Sequence, residues 1–133
     1  MNQLLNANTA RQLLDRMNSD GAFGLVARDM NLNLSITVED EARLIKFRDG
    51  AMHSVDRFVP LTEPVDIAIN GSKAFWQKIL APVPPPRFQN LYAAVRAGTC
   101  EVSGNAELYS AYFAALTRMI DVMREIENSD MPK

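Results

Sequence analysis

An α+β fold is predicted by three stretches of this chain. Residues 30–39 alternate without a break, with Met30, Leu32, Leu34, Ile36 and Val38 on one side and Asn31, Asn33, Ser35, Thr37 and Glu39 on the other. A two-residue period of this kind is a strand with one face buried and one face in water, as antiparallel sheets have. Residues 65–70 repeat the pattern with Val65, Ile67 and Ile69. Near the C-terminal end, Tyr109, Tyr112, Phe113, Leu116, Met119, Ile120 and Met123 recur instead at the three- and four-residue spacing of one helical face. The faces of residues 30–38 and 109–123 are the longest apolar ones, and neither can be left in water, so they are expected to pack together.

The remaining elements follow in order. Thr9 with Gln12 three residues on is a capping-box pattern that opens a first helix, whose buried face is Ala10, Leu13, Leu14 and Met17. The turn formers Asn18, Ser19, Asp20 and Gly21 end it, and the chain is expected to be extended by Phe23. After the strand at 30–39, Asp40 and Glu41 make a turn, and residues 43–48 return as a second strand with Ile45 and Phe47 inward. Asp49-Gly50 is a strong hairpin signal, leading into a third strand at residues 51–58. Arg43, Lys46, Arg48, Asp49, Asp56 and Arg57 read as the charges of a solvated sheet face. Pro60 and Pro64 lie in a linker within the domain, since no shift in composition follows them.

Gly71 ends the strand at 65–70, and Ser72 caps a short helix in which Phe75, Trp76, Ile79 and Leu80 share a face until Pro82 stops it. Residues 81–86 hold Pro82, Pro84, Pro85 and Pro86, which make a stiff extended connector. Phe88, Leu91, Tyr92 and Val95 mark another short helix, closed by Gly98. Residues 99–103 alternate again, with Cys100 and Val102 on one side. This last strand is expected beside and parallel to residues 65–70, because the two intervening helices make a crossover of the length a parallel pair needs. Residues 128–133 read as a frayed tail.

At 133 residues the chain is expected to be one domain spanning residues 1–133. Its formal net charge of −2, with no run of Lys or Arg, gives no support to nucleic-acid binding or to attraction by anionic lipid headgroups. A single cysteine excludes an internal disulfide and fits a reducing compartment. The N-terminus has no basic stretch followed by an apolar one, and no run reaches about 18 apolar residues, so a cytoplasmic protein without integral membrane association is expected.

Catalytic signatures are missing from the sequence. His53 is the only histidine, and no phosphate-binding loop, serine elbow or dinucleotide fingerprint occurs. No metal and no cofactor are expected. His53 reads as an ordinary strand residue and Cys100 as a small buried hydrophobe. Asp66 or Glu101 would do general acid or base work only if burial raised a pKa, which keeps a small isomerase or hydrolase as an alternative. What stands out is aromatic and thioether content on helices, which forms either a core lying on the sheet or one wall of an apolar cavity. Periodicity alone does not separate the two.

The segments Val65-Asp-Ile-Ala-Ile-Asn-Gly-Ser72 and Ala97-Gly-Thr-Cys-Glu-Val-Ser-Gly-Asn105, in this order of elements, resemble the sterol carrier protein 2 family. The first looks like the family's strand-to-helix step and the second like its turn into the final helix, and the resemblance spans about residues 10–125. It implies a five-stranded, mostly antiparallel sheet with helices packed on one face, enclosing an apolar tunnel. It further implies non-catalytic binding or transfer of a lipid or other apolar molecule, such as a fatty acyl chain, a sterol-like or a polyprenyl-type ligand. Phe75, Trp76, Ile79, Phe88, Leu91, Tyr92, Tyr112, Phe113, Leu116 and Met119 fall on the corresponding inner helical faces and are the expected ligand-binding residues. Two features depart from the family pattern. Residues 81–87 are longer and richer in proline than its usual link, and the chain ends without Ser-Lys-Leu, so a peroxisomal address is not implied. The fold also serves as an accessory module beside enzymes, which leaves a protein partner or a homodimer open.

Overall fold

The computed structural model describes residues 6–57 and 63–129. Strands β1 (Leu32–Val38), β2 (Glu41–Arg48), β3 (Ala51–Asp56), β4 (Ile67–Gly71) and β5 (Glu101–Gly104) form one sheet in the order β3-β2-β1-β4-β5. Phe58 and Pro60, placed above in the third strand and the linker, lie outside the described residues, as do residues 130–133 of the tail. The helices are α1 (Ala7–Asn18), α2 (Gly21–Val26), α3 (Lys73–Ile79), α4 (Leu91–Ala97), α5 (Ala106–Ala111) and α6 (Phe113–Glu127).

The alternation in β1 sets which face carries the core. Leu34 opposes Ile45 on β2 and Ile67 on β4, while Ile36 opposes Ile69, so one inner face runs across three strands. These residues join Leu13, Met17, Phe23, Phe75, Trp76, Leu116, Met119 and Met123 in a single hydrophobic cluster. Each fully buried side chain of this size contributes roughly 1.5–3 kcal/mol over its exposed state, which is why the helices collect on this face.

The meander forms as the turn chemistry requires. Asp49 and Gly50 have φ of 53° and 80°, the pair of positive values that a two-residue hairpin turn needs. The first turn falls at Glu39 and Asp40, one residue earlier than the expected Asp40 and Glu41, and Glu41 already begins β2. Glu39 is held there at φ 54° because its N–H donates to Gly71 O (3.1 Å) and its carboxylate accepts from Lys73 N (2.9 Å).

The outer face is less wet than the alternation suggested. Asn33, Ser35 and Leu44 are buried. Residues 63–66 pass close to it, with Asn33 Nδ2 donating to Pro64 O (2.7 Å), Asn33 N donating to Asp66 Oδ2 (2.7 Å) and Lys46 Nζ meeting Glu63 (2.9 Å). Arg43, read above as a solvated charge, is 4% exposed. It opposes Ile36 and so belongs to the inner face, and its guanidinium donates to Ala42 O and Glu41.

β5 lies beside β4 as expected, but antiparallel, with Asn70 opposite Glu101 and Ile67 opposite Gly104. The chain leaves β4 and re-enters the sheet at the same end, so α3 and α4 form a return excursion instead of a crossover along the strand. The parallel pair is β1 with β4.

The helices also differ from expectation at four points. Asn6, not Thr9, caps α1, its side chain accepting from Asn8 N and Thr9 N at 3.0 Å each. Phe23, expected in extended chain, lies in α2 and is buried 6.0 Å from the Phe47 ring centroid. Asp20 acts as an N-cap here, accepting from Phe23 N (2.8 Å), so the turn formers start a helix as well as ending one. The final helix divides at Tyr112 (φ −114°, ψ 20°) into α5 and α6. At its other end Asn128 is not frayed, because its side chain donates to Leu80 O (2.8 Å).

Candidate ligand site

The candidate site is the region where α3 and α4 meet α6 over the inner face of the sheet. Ser72 Oγ accepts from Phe75 N (3.1 Å) and starts α3. One turn on, Trp76 is fully buried, and its Nε1 donates to Thr37 O (3.0 Å), which fixes the indole against the end of β1. Phe75 meets the Trp76 ring edge-on at 5.0 Å between centroids, and Phe88 lies 6.2 Å beyond Phe75. A second aromatic group has Phe113 at its centre, edge-on to Tyr109 at 5.4 Å and to Tyr92 at 6.5 Å.

The ten expected ligand-binding residues divide by burial. Phe75, Trp76, Ile79, Leu91, Leu116 and Met119 are buried in the common cluster. Phe88, Tyr112 and Phe113 are half-buried against it, and Tyr112 Oη donates to Asp29 O (3.4 Å). Tyr92 is 55% exposed and does not stand on an inner helical face. The buried side of α4 is Leu91 with Ala94, and Tyr92 turns outward into a surface groove of about 590 Å³ shared with Arg87 and Arg96.

Two residues that fasten the site gave no signal in the sequence. Arg124 on α6 donates from Nε to Ile79 O (2.9 Å) and from its terminal nitrogens to Asp121 (3.2 Å) and Gln89 O (3.4 Å). With Asn128, which reaches Leu80 O, it caps the carbonyl end of α3 from the neighbouring helix. Thr117 Oγ1 is buried and has no hydrogen-bond partner among the described residues.

Burial pushes the Cys100 thiol up to about 11, which keeps it protonated, and burial together with Cys100 raises Tyr109. His53 is exposed on β3, and Glu101 is exposed on β5. Asp66 accepts from the backbone of Asn33. Among the described residues no group of three or more His, Cys, Asp or Glu side chains could hold a metal ion, and no helix is long and apolar enough to cross a membrane.

Solved structures decide what this architecture is. A crystal structure of sterol carrier protein 2 matches with a TM-score of 0.74 at 18% identity, covering 92% of this chain and 98% of the other. The chain has the sterol carrier protein 2 fold. A conserved hypothetical protein from Thermus thermophilus, described as possibly a sterol carrier protein, matches with a TM-score of 0.71 at 19% identity, covering 93% of this chain and 90% of that one. The UbiJ-SCP2 ubiquinone synthesis protein matches with a TM-score of 0.60 at 17% identity, covering 88% and 93%. No family model matches the chain, and no curated protein sequence does.

Proposed function

We propose that this domain binds, and passes on, a long-chain lipid or similarly apolar molecule without transforming it. The ligand lies between the inner face of the sheet and α3, α4 and α6. The observation that carries this reading is the sterol carrier protein 2 fold combined with an aromatic and Met-lined helical surface at the place where such a ligand would sit. Phe75, Trp76, Ile79, Leu91, Leu116 and Met119 form its walls, and Phe88, Tyr112 and Phe113 are the half-buried rings that swing to admit it. Tyr92 takes no wall position and stands at the surface beside α4. With the six wall residues packed in one cluster, entry requires side chains to move, which methionine and half-buried rings do at low cost. The neighbours named for sterol carriage and ubiquinone synthesis support a fatty acyl, sterol-like or polyprenyl-type ligand.

The test is extraction of the purified protein with organic solvent and mass spectrometry of what is released. A stoichiometric apolar molecule is expected, and a clean extract from protein that also takes up no added lipid would refute the reading. A second reading, an accessory module beside an enzyme, draws on the ubiquinone synthesis neighbour. It predicts an empty domain that co-elutes with an enzyme from the host extract.

A further inference from the structure

We propose that the connector between α3 and α4, together with the outer side of α4, is a docking surface for an anionic lipid bilayer. The chain as a whole is slightly acidic, yet residues 67–100 contain Lys73, Lys78, Arg87 and Arg96 and not one Asp or Glu. The formal net charge of −2 therefore averages over a separated distribution. Lys78, Arg87 and Arg96 are all exposed. Lys78 lies over the Phe88 ring at 5.3 Å, and Arg96 lies over the Tyr92 ring at 5.8 Å with its guanidinium donating to Tyr92 Oη. Arg87 holds φ 75°, its N–H donating to Gln89 Oε1 (2.8 Å), and it shares the α4 groove with Arg96 and Tyr92. On the adjoining α6, Asp121 is paired with Arg124.

The apolar part of the surface selects the partner. Val83 is 85% exposed within the proline-rich connector and Tyr92 is 55% exposed beside the cations. Phosphates of a nucleic acid would pair with the cations but offer Val83 nothing. A bilayer interface supplies both, with anionic headgroups for Lys78, Arg87 and Arg96 and an acyl boundary for Val83, the prolines and the tyrosine ring. Leu25, the other strongly exposed large apolar residue among those described, stands on α2 near both Arg28 and Asp29, where the signs of charge are mixed. The inference rests on charge and exposure alone and does not depend on what the interior binds.

Sedimentation with vesicles tests it. The whole chain is expected to bind vesicles of phosphatidylcholine containing phosphatidylglycerol, to release them at high salt, and to ignore phosphatidylcholine alone. Each cation near such a surface contributes roughly fivefold to the partition, so Lys78→Glu, Arg87→Glu and Arg96→Glu combined should weaken binding by about a hundredfold or more. Val83→Ser should weaken it with the charges intact, and Arg28→Glu should leave it unchanged. Melting curves of each variant establish that it is folded. Four results would overturn the proposal: no binding of the wild-type chain to anionic vesicles, binding indifferent to the triple variant, an equal loss with Arg28→Glu, or binding unmoved by Val83→Ser and matched by a DNA duplex.

Discussion

Arg118 on α6 holds Asp20 through one edge of its guanidinium, with Nε donating to Oδ2 and Nη2 to Oδ1 at 2.9 Å each. The same carboxylate caps α2 through Phe23 N, so one ion pair joins the start of a short helix to the middle of the longest one. Paired in this way, arginine and carboxylate fix orientation as well as charge.

This arrangement predicts an acid-sensitive contact. The Arg118 hydrogen bonds, then the Phe23 N–H, lower Asp20 from 3.8 to about 2. A carboxyl whose pKa is lower in the folded state adds stability above its unfolded value and loses it as the pH falls through the folded one. The contribution of Asp20 should therefore be complete above about pH 4 and fade toward about pH 2. Denaturation curves across that range should show Asp20→Asn less stable than wild type near neutrality, with the gap closing as acid is added. A gap that stays constant with pH would show that the pairing does not set the titration.

Gly104 should not accept a side chain. It sits at φ 112° where β5 meets α5, and a Cβ there would strike the Asp66 carbonyl, which already accepts from Asn105 N (2.7 Å). Gly104→Ala is expected to cost about 1–3 kcal/mol, a drop of several degrees in melting temperature. An unchanged melting temperature would mean that the turn into α5 relaxes freely.

Thr117 makes the opposite prediction. Its hydroxyl is buried without a partner among the described residues, and such a group carries a desolvation cost of roughly 1–3 kcal/mol. Thr117→Val keeps the shape and removes the polar atom, so chemical denaturation should find the ligand-free protein at least as stable as wild type. A clear loss of stability would reveal a partner for the hydroxyl.

The fold was legible where period and charge spoke together, and less so where direction or shape mattered. The alternation of Leu32, Leu34 and Ile36 located β1 and its inner face, and Ser72 and Gly98 marked helix ends that the structure keeps. Arg43 shares the parity of Ile45 and Phe47, so its inward position was written in the spacing, although its charge suggested water. The reversal of β5 was not readable, because the length of an excursion does not say at which end of the sheet it returns. Nor was the break at Tyr112, which no glycine or proline announces.

In the candidate site, aromatic size misdirected one assignment. Tyr92 drew notice as a large ring, while the small Ala94 is what lets α4 lie close against the core. Arg124 and Asn128 look like ordinary solvent-side residues in a helical wheel, and only the meeting of α6 with the end of α3 gives them a role.

The most direct test of lipid carriage is the melting temperature of the purified domain, stripped of bound lipid, against a panel of fatty acids, acyl-coenzyme A esters, sterols and polyprenyl quinones. A ligand at about a hundred times its dissociation constant should add roughly 2.7 kcal/mol to folding stability, which for a domain of this size raises the melting temperature by several degrees. At least one class in the panel is expected to produce that rise in a concentration-dependent way. No shift with any class would contradict the account and leave α3, α4 and α6 closed on a solid core.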